Sequence, residues 1–241
     1  MNTDMSLETM LIEGAKAFSI ELGNVQVGMM LKYKRLLAEW NKKINLTAIE
    51  EDKDVIIKHF IDSFSIIPYL KNRGEKVVDV GTGAGFPGIP VKIVYNNIEL
   101  VLLDSLKKRI GFMNTLIADL VLDKVKAVHS RAEQMGANPQ YRETFDISVA
   151  RAVAGLPVLL EYCLPLIKTG GIFIAMKGSS IDEIRDSQKA LDILGGKIEE
   201  VKELILPFSD IGRNLIIVRK FRHTPTKYPR KPGKPSKEPL I

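Results

Sequence analysis

A glycine-rich turn follows the first apolar run that is typical of a buried strand. Residues 77–80 are Val-Val-Asp-Val, and the next eight residues are Gly-Thr-Gly-Ala-Gly-Phe-Pro-Gly. Gly81 and Gly83 lack the Cβ atoms that would hold a ligand away from the backbone, and they allow positive φ angles. The turn therefore predicts a nucleotide-like cofactor at the carboxyl end of this strand. A tight turn without a ligand is the alternative, because Phe86 replaces the last glycine of the dinucleotide fingerprint.

An acid follows the next apolar run. Asp104 lies 23 residues after Gly81, where α/β nucleotide folds place a carboxylate that accepts both ribose hydroxyls. Taken alone, Asp104 could equally cap a helix. Together with the glycine turn, it favours a nucleoside cofactor.

Polar residues also end the following strands. Glu133 comes shortly after the third apolar run, Arg151 ends the fourth, and Lys177 ends the fifth. Because open parallel sheets bind ligands at the carboxyl ends of their strands, Glu133 and Arg151 are candidate ligand contacts by position. Surface salt bridges are the alternative for each.

After Gly74, short apolar runs alternate with helical segments along the sequence, and these elements must position the residues named above. This alternation predicts an α/β fold built from βαβ units around a largely parallel sheet. Seven strands are expected, at residues 76–80, 98–103, 125–128, 145–150, 172–176, about 198–206 and 214–220.

The first part of the chain is helical in pattern. Apolar residues recur at helical spacing, as in Met30, Tyr33 and Leu37, and a helix over residues 54–67 should end before Pro68. We expect three parts: a helical segment at 1–73, the α/β core at 74–221, and a C-terminal arm at 222–241.

The arm carries most of the net charge of +6. Residues 222–241 contain six lysines and arginines, one glutamate and five prolines. Prolines disfavour a helix or a central strand, so the arm should run extended. A cationic extended arm suits a nucleic-acid backbone, with a solubilising terminus as the alternative. We expect that its removal leaves cofactor binding intact.

Composition excludes several protein classes. With 45% apolar and 27% charged residues, the 241-residue chain is typical of globular proteins. Cys163 is the single cysteine, which excludes an intrachain disulfide and a cysteine-cluster zinc site. The three scattered histidines give no metal-ligand or triad spacing, so no metal is expected. No apolar run has transmembrane length and the N-terminus lacks signal-peptide features, so we expect a cytoplasmic protein without a membrane partner.

A series of motifs, in order along essentially the whole chain, resembles the ribosomal small-subunit RNA methyltransferase G family, also called glucose-inhibited division protein B. The tail at 225–233, Pro-Thr-Lys-Tyr-Pro-Arg-Lys-Pro-Gly, is similar to that of Gram-positive members. The other motifs are Trp-Asn-Lys-Lys-Ile-Asn-Leu-Thr (40–47), His-Phe-Ile-Asp-Ser (59–63), the strand and glycine turn (79–88), Leu-Asp-Ser (103–105), Lys-Arg (108–109), Arg-Ala-Glu (131–133), Ala-Arg-Ala (150–152) and Met-Lys-Gly (176–178).

The resemblance implies an S-adenosylmethionine-dependent enzyme with a class I methyltransferase fold, in which a Rossmann-like seven-stranded sheet carries an N-terminal helical cap. It further implies methylation of N7 of a guanine in 16S ribosomal RNA of the small subunit. By motif match, the family's cofactor contacts fall on Gly81, Phe86, Ala132, Glu133 and Arg151. We add Gly83 and Asp104 to that set, because Gly83 lies in the glycine turn and Asp104 is placed to accept the ribose hydroxyls.

Two other target atoms of an RNA methyltransferase are disfavoured, because the chain lacks the residues that their methylation uses. The Asn/Asp-Pro-Pro-aromatic loop common in exocyclic adenine methylation is replaced by Ala-Arg-Ala-Val at 150–153, and Cys163 lies in an apolar segment unsuited to a nucleophile of pyrimidine methylation. Guanine N7 has a lone pair and no proton to remove, so its methylation requires positioning rather than a base. We expect Arg151 and Lys177 to face the guanine or its phosphates, with a place on the solvated rim of the pocket as the alternative for Lys177. Phe86 either shields the sulfonium or packs beneath the loop.

Two other functions are left open by the sequence. One is a non-catalytic ribosome-assembly factor that keeps a cofactor fold, and the other is a small-molecule methyltransferase with an incidental basic arm. The sequence does not give the oligomeric state, and we expect a monomer.

Overall fold

The computed structural model describes residues 5–178 and 183–241. Seven strands form one sheet, at positions close to those expected. They are β1 (Lys76–Val80), β2 (Glu99–Asp104), β3 (Val125–His129), β4 (Phe145–Arg151), β5 (Ile167–Lys177), β6 (Gly196–Ile205) and β7 (Gly212–Lys220). The fifth begins five residues earlier than expected, and its register with β4 shifts between Phe145 and Ile147.

Helices connect and cover these strands. The α-helices are α1 (Leu7–Lys16), α2 (Asn24–Ile44), α3 (Asp52–Val55), α4 (Asp62–Phe64), α5 (Gly88–Val94), α6 (Lys107–Asp119), α7 (Ala132–Ala137), α8 (Leu156–Cys163), α9 (Glu183–Asp186), α10 (Gln188–Leu194) and α11 (Lys234–Lys237). A π-helical turn, Ile56–Ile61, joins α3 to α4, and a 3-10 turn covers Ile67–Tyr69.

The strand order in the sheet is β3-β2-β1-β4-β5-β7-β6. The first five strands pair in parallel, whereas β7 runs antiparallel to both β5 and β6. The chain therefore leaves β1 toward β2 on one side and later returns to β4 on the other. This reversal opens a crevice beside the carboxyl end of β1, where α/β sheets of this kind bind ligands.

Two hydrophobic clusters cover the two faces of the sheet. One contains the helices before β1, together with α5 and α6, and is centred on side chains such as Tyr33, Phe60 and Phe112. The other contains α8 and α10 and includes Leu159, Phe173 and residues of the C-terminal segment. The helices that precede β1 thus share one core with the sheet.

The third predicted helix is wrong in detail. A continuous α-helix over residues 54–67 was expected, but the structure has the short α3, the π-helical turn and α4, which ends at Phe64. Pro68 does not terminate this element; it lies in the separate 3-10 turn. The first turn of a helix tolerates proline because its N–H has no helical partner there.

The expected extended arm is also wrong. Residues 222–241 pack against the core, with Thr224, Tyr228 and Leu240 buried, and they include the short helix α11. Pro235 sits in the first turn of α11, a position where proline is compatible with a helix. The prolines do not keep the segment extended and free, because the apolar side chains of Tyr228 and Leu240 anchor it on the core.

No described helix is long and apolar enough to span a membrane. Cys163 is buried, and burial raises the pKa of its thiol to about 12.

Candidate active site

The glycine turn lies directly beyond β1 and is held against the end of β2. The backbone N–H groups of Gly81 and Thr82 both donate to the carbonyl of Leu103, at 2.8 and 3.0 Å. Gly81 has φ +71°, and a Cβ built there would lie 2.7 Å from a methyl carbon of Val153. Only glycine therefore combines this conformation with this close approach.

Asp79 anchors the turn from below. Its Oδ2 accepts hydrogen bonds from the Thr82 hydroxyl at 2.7 Å and from the Gly88 N–H at 2.9 Å. Its Oδ1 is buried and has no hydrogen-bond partner among the described residues. Burial raises the pKa of Asp79 to about 6, against the lowering effect of these two hydrogen bonds. The sequence analysis assigned no role to Asp79, although a carboxylate inside a run of valines is the signal that could have identified it.

Asp104 lies next to the turn, as expected. Oδ2 accepts from the Gly83 N–H at 3.0 Å and from the Arg109 guanidinium at 3.2 Å, and Oδ1 accepts from the Leu106 N–H at 2.9 Å. A carboxylate accepts up to about four hydrogen bonds. Asp104 therefore fixes the turn and keeps capacity for a ligand hydroxyl.

A cavity of about 190 Å³ lies beside these groups at the carboxyl ends of β1, β2 and β3. It brings together four of the predicted cofactor residues, namely Gly81, Asp104, Ala132 and Glu133. Val153, Tyr162 and Ser236 complete other parts of its wall, and sequence reasoning identified none of them. We call this the turn cavity.

Phe86 and Gly83 do not line the turn cavity. The ring of Phe86 is buried between Tyr33 and His59, with ring centroids 4.9 and 4.5 Å away and nearly parallel planes. The ring therefore packs against the helical segment, and its predicted role as a cofactor contact stays a prediction. Gly83 acts through its N–H on Asp104.

Arg151 ends β4 but points toward the helical segment. Its guanidinium donates to the Lys58 carbonyl at 3.0 Å, to Asp62 Oδ2 at 3.0 Å and to His59 Nδ1 at 3.1 Å. Asp62 is 1% exposed and its Oδ1 accepts from Arg213 Nε at 3.1 Å. One buried carboxylate therefore bridges two arginines, a geometry that fixes both guanidinium groups.

The π-helical turn supplies the His59 ring and the Lys58 carbonyl to this cluster. An arginine N–H can only donate, so His59 Nδ1 is the acceptor and Nε2 carries the proton, which is directed at Thr47 Oγ1, 2.9 Å away. Burial, followed by the charge of Arg151, lowers the pKa of His59 to about 3. His59 is thus neutral at physiological pH, with both nitrogens occupied.

A second cavity, of about 390 Å³, lies on the other side of the end of β4. Arg151 and Lys177 both line it, as expected for two neighbouring strand ends. Lys177 is held by Glu183 at 2.9 Å and by the Ala154 carbonyl at 3.0 Å. Lys58, which pairs with Asp54 at 2.7 Å, and Arg213 add two more cations to its lining. Among the described residues, Asp62 is the one carboxylate that lines it. We call this the cationic cavity.

Residues 151–153 separate the two cavities. Arg151 and Ala152 line the cationic cavity, whereas Val153 lines the turn cavity. Ala152 has φ +53°, which is uncommon for a residue with a Cβ. The predicted site residues are therefore divided between two places. Arg151 lies with Lys177 and over the ring of Phe86, 5.4 Å from its centroid, whereas Gly81, Asp104, Ala132 and Glu133 line the turn cavity. No cluster of three or more potential metal-ligating side chains occurs in the described ranges 5–178 and 183–241.

Comparison with known proteins identifies the family. Residues 26–211 match the family described as GidB, rRNA small subunit methyltransferase G. The chain belongs to this family. A protein of Acetivibrio thermocellus named ribosomal RNA small subunit methyltransferase G is 60% identical over 237 residues, which are 98% of each chain. A protein of the same name from Alkaliphilus oremlandii is 54% identical, over 98% of this chain and all of the relative. Membership establishes a methyltransferase of small-subunit rRNA.

Solved structures confirm the fold. Geranyl diphosphate methyltransferase, solved in complex with SAM, superposes with a TM-score of 0.52 over 66% of this chain and 84% of its own. The identity is 13%, so the likeness concerns the fold alone. The class I methyltransferase fold expected for the rRNA small subunit methyltransferase G family is therefore confirmed, with its seven-stranded sheet.

Proposed function

We propose that this protein transfers the methyl group of S-adenosylmethionine to N7 of a guanine in 16S ribosomal RNA. The observation that carries the proposal is the pair of cavities on either side of residues 151–153. One cavity suits an adenosyl ligand, and the described residues that line the other include four cationic side chains and one carboxylate. The family supplies the reaction class and the small-subunit rRNA substrate.

The turn cavity fits the methyl donor. Gly81 lines the cavity beside Val153, whose side chain occupies the space that a Cβ at Gly81 would need, and Asp104 has capacity for the ribose hydroxyls. Glu133 is 4% exposed and lines the same cavity. In this arrangement, Asp104 orients the ribose and the glycine turn lets the donor lie against the end of β1.

The residues around the cationic cavity position the base without accepting a proton. S-adenosylmethionine, when bound, supplies an electrophilic methyl group whose former bonding electrons stay on sulfur after transfer. Guanine N7 provides its own lone pair and loses no proton. His59 is neutral and hydrogen-bonded at both nitrogens, so it holds Arg151 in place rather than acting as a base.

Charge on the cationic cavity suits the RNA backbone. Lys58, Arg151, Lys177 and Arg213 line it, with Asp62 as the one lining carboxylate among the described residues and with Asp54 and Glu183 paired to the two lysines. Cations of this kind contact phosphates. Guanine N7 is inaccessible to side chains in the deep major groove of an A-form helix, so the target base must be unpaired or extruded. We propose that the cavity holds such a base with its flanking phosphate.

The test uses small ribosomal subunits that lack the modification, incubated with the protein and methyl-labelled S-adenosylmethionine. We expect label in 16S RNA, and chain scission at a single guanine after treatment that cleaves at N7-methylated bases. Asp62→Asn is the informative variant, since it removes the charge that pairs both arginines. Label in an exocyclic nitrogen or in a ribose would overturn the proposal, and so would the absence of label from all RNA.

A further inference from the structure

The C-terminal segment, residues 222–241, reaches the turn cavity from the end of the chain. Ser236 lines that cavity together with Gly81 and Asp104. Its hydroxyl lies 2.7 Å from the phenolic oxygen of Tyr162, which also lines the cavity. The basic tail therefore supplies part of the wall of the proposed donor site.

A buried ion pair fixes the segment on the core. Glu161 of α8 is 0% exposed and accepts three hydrogen bonds from the Arg230 side chain and one from its backbone N–H, at 2.6–3.1 Å. Arg142 adds donor contacts to the carbonyls of Thr224 and Tyr228, both at 2.7 Å. Arg222 donates to the Asp192 carbonyl of α10, so at least two of the six tail cations hold the tail in place.

A direct bond links the segment to a proposed cofactor residue. The Gly233 N–H donates to Glu133 Oε1 at 2.8 Å. Gly233 has φ +83°, a conformation that favours glycine, so the N–H is aimed by a backbone turn that few other residues adopt. The carboxylate retains capacity for a ligand donor, and its orientation depends on the tail.

We propose that the docked C-terminal segment is a working part of the methyl-donor site. Ser236 and Tyr162 present a hydroxyl pair to the donor, and Gly233 positions Glu133. Docking of the segment and donor binding then stabilise each other, because a ligand that binds only the docked form shifts the equilibrium toward it. The inference rests on the proposed function, and it reverses the expectation that removing the arm leaves cofactor binding intact.

The experiment measures the affinity of the full chain for S-adenosylhomocysteine, the product of methyl donation, by calorimetry. Ser236→Ala should weaken binding by about 3- to 10-fold, the usual effect of losing one hydrogen bond. Ser236→Thr retains a hydroxyl and should stay within about twofold of the original chain. The KM for S-adenosylmethionine should rise in Ser236→Ala with kcat unchanged, since the hydroxyl contacts the donor and not the reacting atoms.

A second pair of variants tests the docking. Glu161→Gln combined with Arg230→Met removes the ion pair without leaving a buried charge, and binding should weaken by more than about tenfold. Lys237→Met removes one positive charge from the exposed face of the same segment and should leave binding unchanged. Hydrogen exchange should slow at residues 228–240 of the unaltered chain when S-adenosylhomocysteine is added.

The two proposals fail in different ways. A folded unaltered chain that ignores S-adenosylhomocysteine overturns the proposed function. Tight binding in every variant, with exchange at residues 228–240 indifferent to the ligand, overturns the role of the segment and leaves the proposed function standing.

Discussion

Replacing Gly81 with alanine should block the methyl-donor site. Gly81 has φ +71°, and a Cβ at this position would lie 2.7 Å from a Val153 methyl carbon. An ordinary carbon–carbon contact is about 3.5–4.0 Å, so Val153 must move by roughly 1 Å. Val153 lines the turn cavity, and its displacement should change the shape of the wall that contacts the donor.

Gly83→Ala is a matched control. Gly83 also has a positive φ, +61°, but the nearest atom to a built Cβ is 3.9 Å away. Both variants therefore bear the backbone cost of about 1–2 kcal/mol for a non-glycine residue in this conformation. The further loss from the collision, about 1–3 kcal/mol by analogy with overpacked sites, applies to Gly81→Ala alone.

The assay combines urea unfolding with calorimetric titration of S-adenosylhomocysteine. We expect Gly81→Ala to bind at least about tenfold more weakly than Gly83→Ala, and Val153→Ala in the same chain to restore part of the loss. Equal affinity of the two alanine variants would refute the assignment of Gly81 and Val153 to the donor site.

Three further outcomes are expected. Asp79 has a pKa of about 6 in the folded chain and 3.8 ordinarily, so the stability it confers is complete below pH 3.8 and is lost as the pH rises through 6. Between pH 4 and pH 8, the free energy of unfolding of the unaltered chain should fall by about 3 kcal/mol relative to that of Asp79→Asn, as measured by urea unfolding at each pH. Arg151→Lys keeps the charge but not the three-way contact, so rRNA methylation should fall by more than about tenfold, while donor affinity measured by calorimetry stays within about twofold. Cys163 is buried and its pKa is about 12, so mass spectrometry should find it unmodified by iodoacetamide in the folded chain and modified in urea; rapid labelling without urea would contradict this.

The sheet and the turn could be predicted from local pattern. All seven strands were predicted from apolar runs of strand length separated by helical segments, because a buried strand is a short continuous run of apolar residues. The contact between the glycine turn and Asp104 also followed, since β1 and β2 are neighbouring parallel strands whose carboxyl ends meet.

The contacts made across the fold could not be predicted in this way. Arg151 was placed correctly at a strand end, but its partners Asp62 and His59 lie about 90 residues earlier, on a helical segment whose docking no local pattern specifies. Its predicted role as a cofactor contact stays a prediction, since Arg151 lines the cationic cavity. Proline and charge in the tail indicated an arm, whereas the buried Glu161 that holds Arg230 is visible only in three dimensions.

The most direct test of the account is a crystal structure of the full chain with S-adenosylhomocysteine. We expect the ligand in the turn cavity, with its ribose hydroxyls on Asp104 and its sulfur directed toward residues 151–153. A third cavity, of about 470 Å³, lies at the amino ends of the strands beside Lys126 and Tyr141. Ligand bound there instead would contradict this expectation.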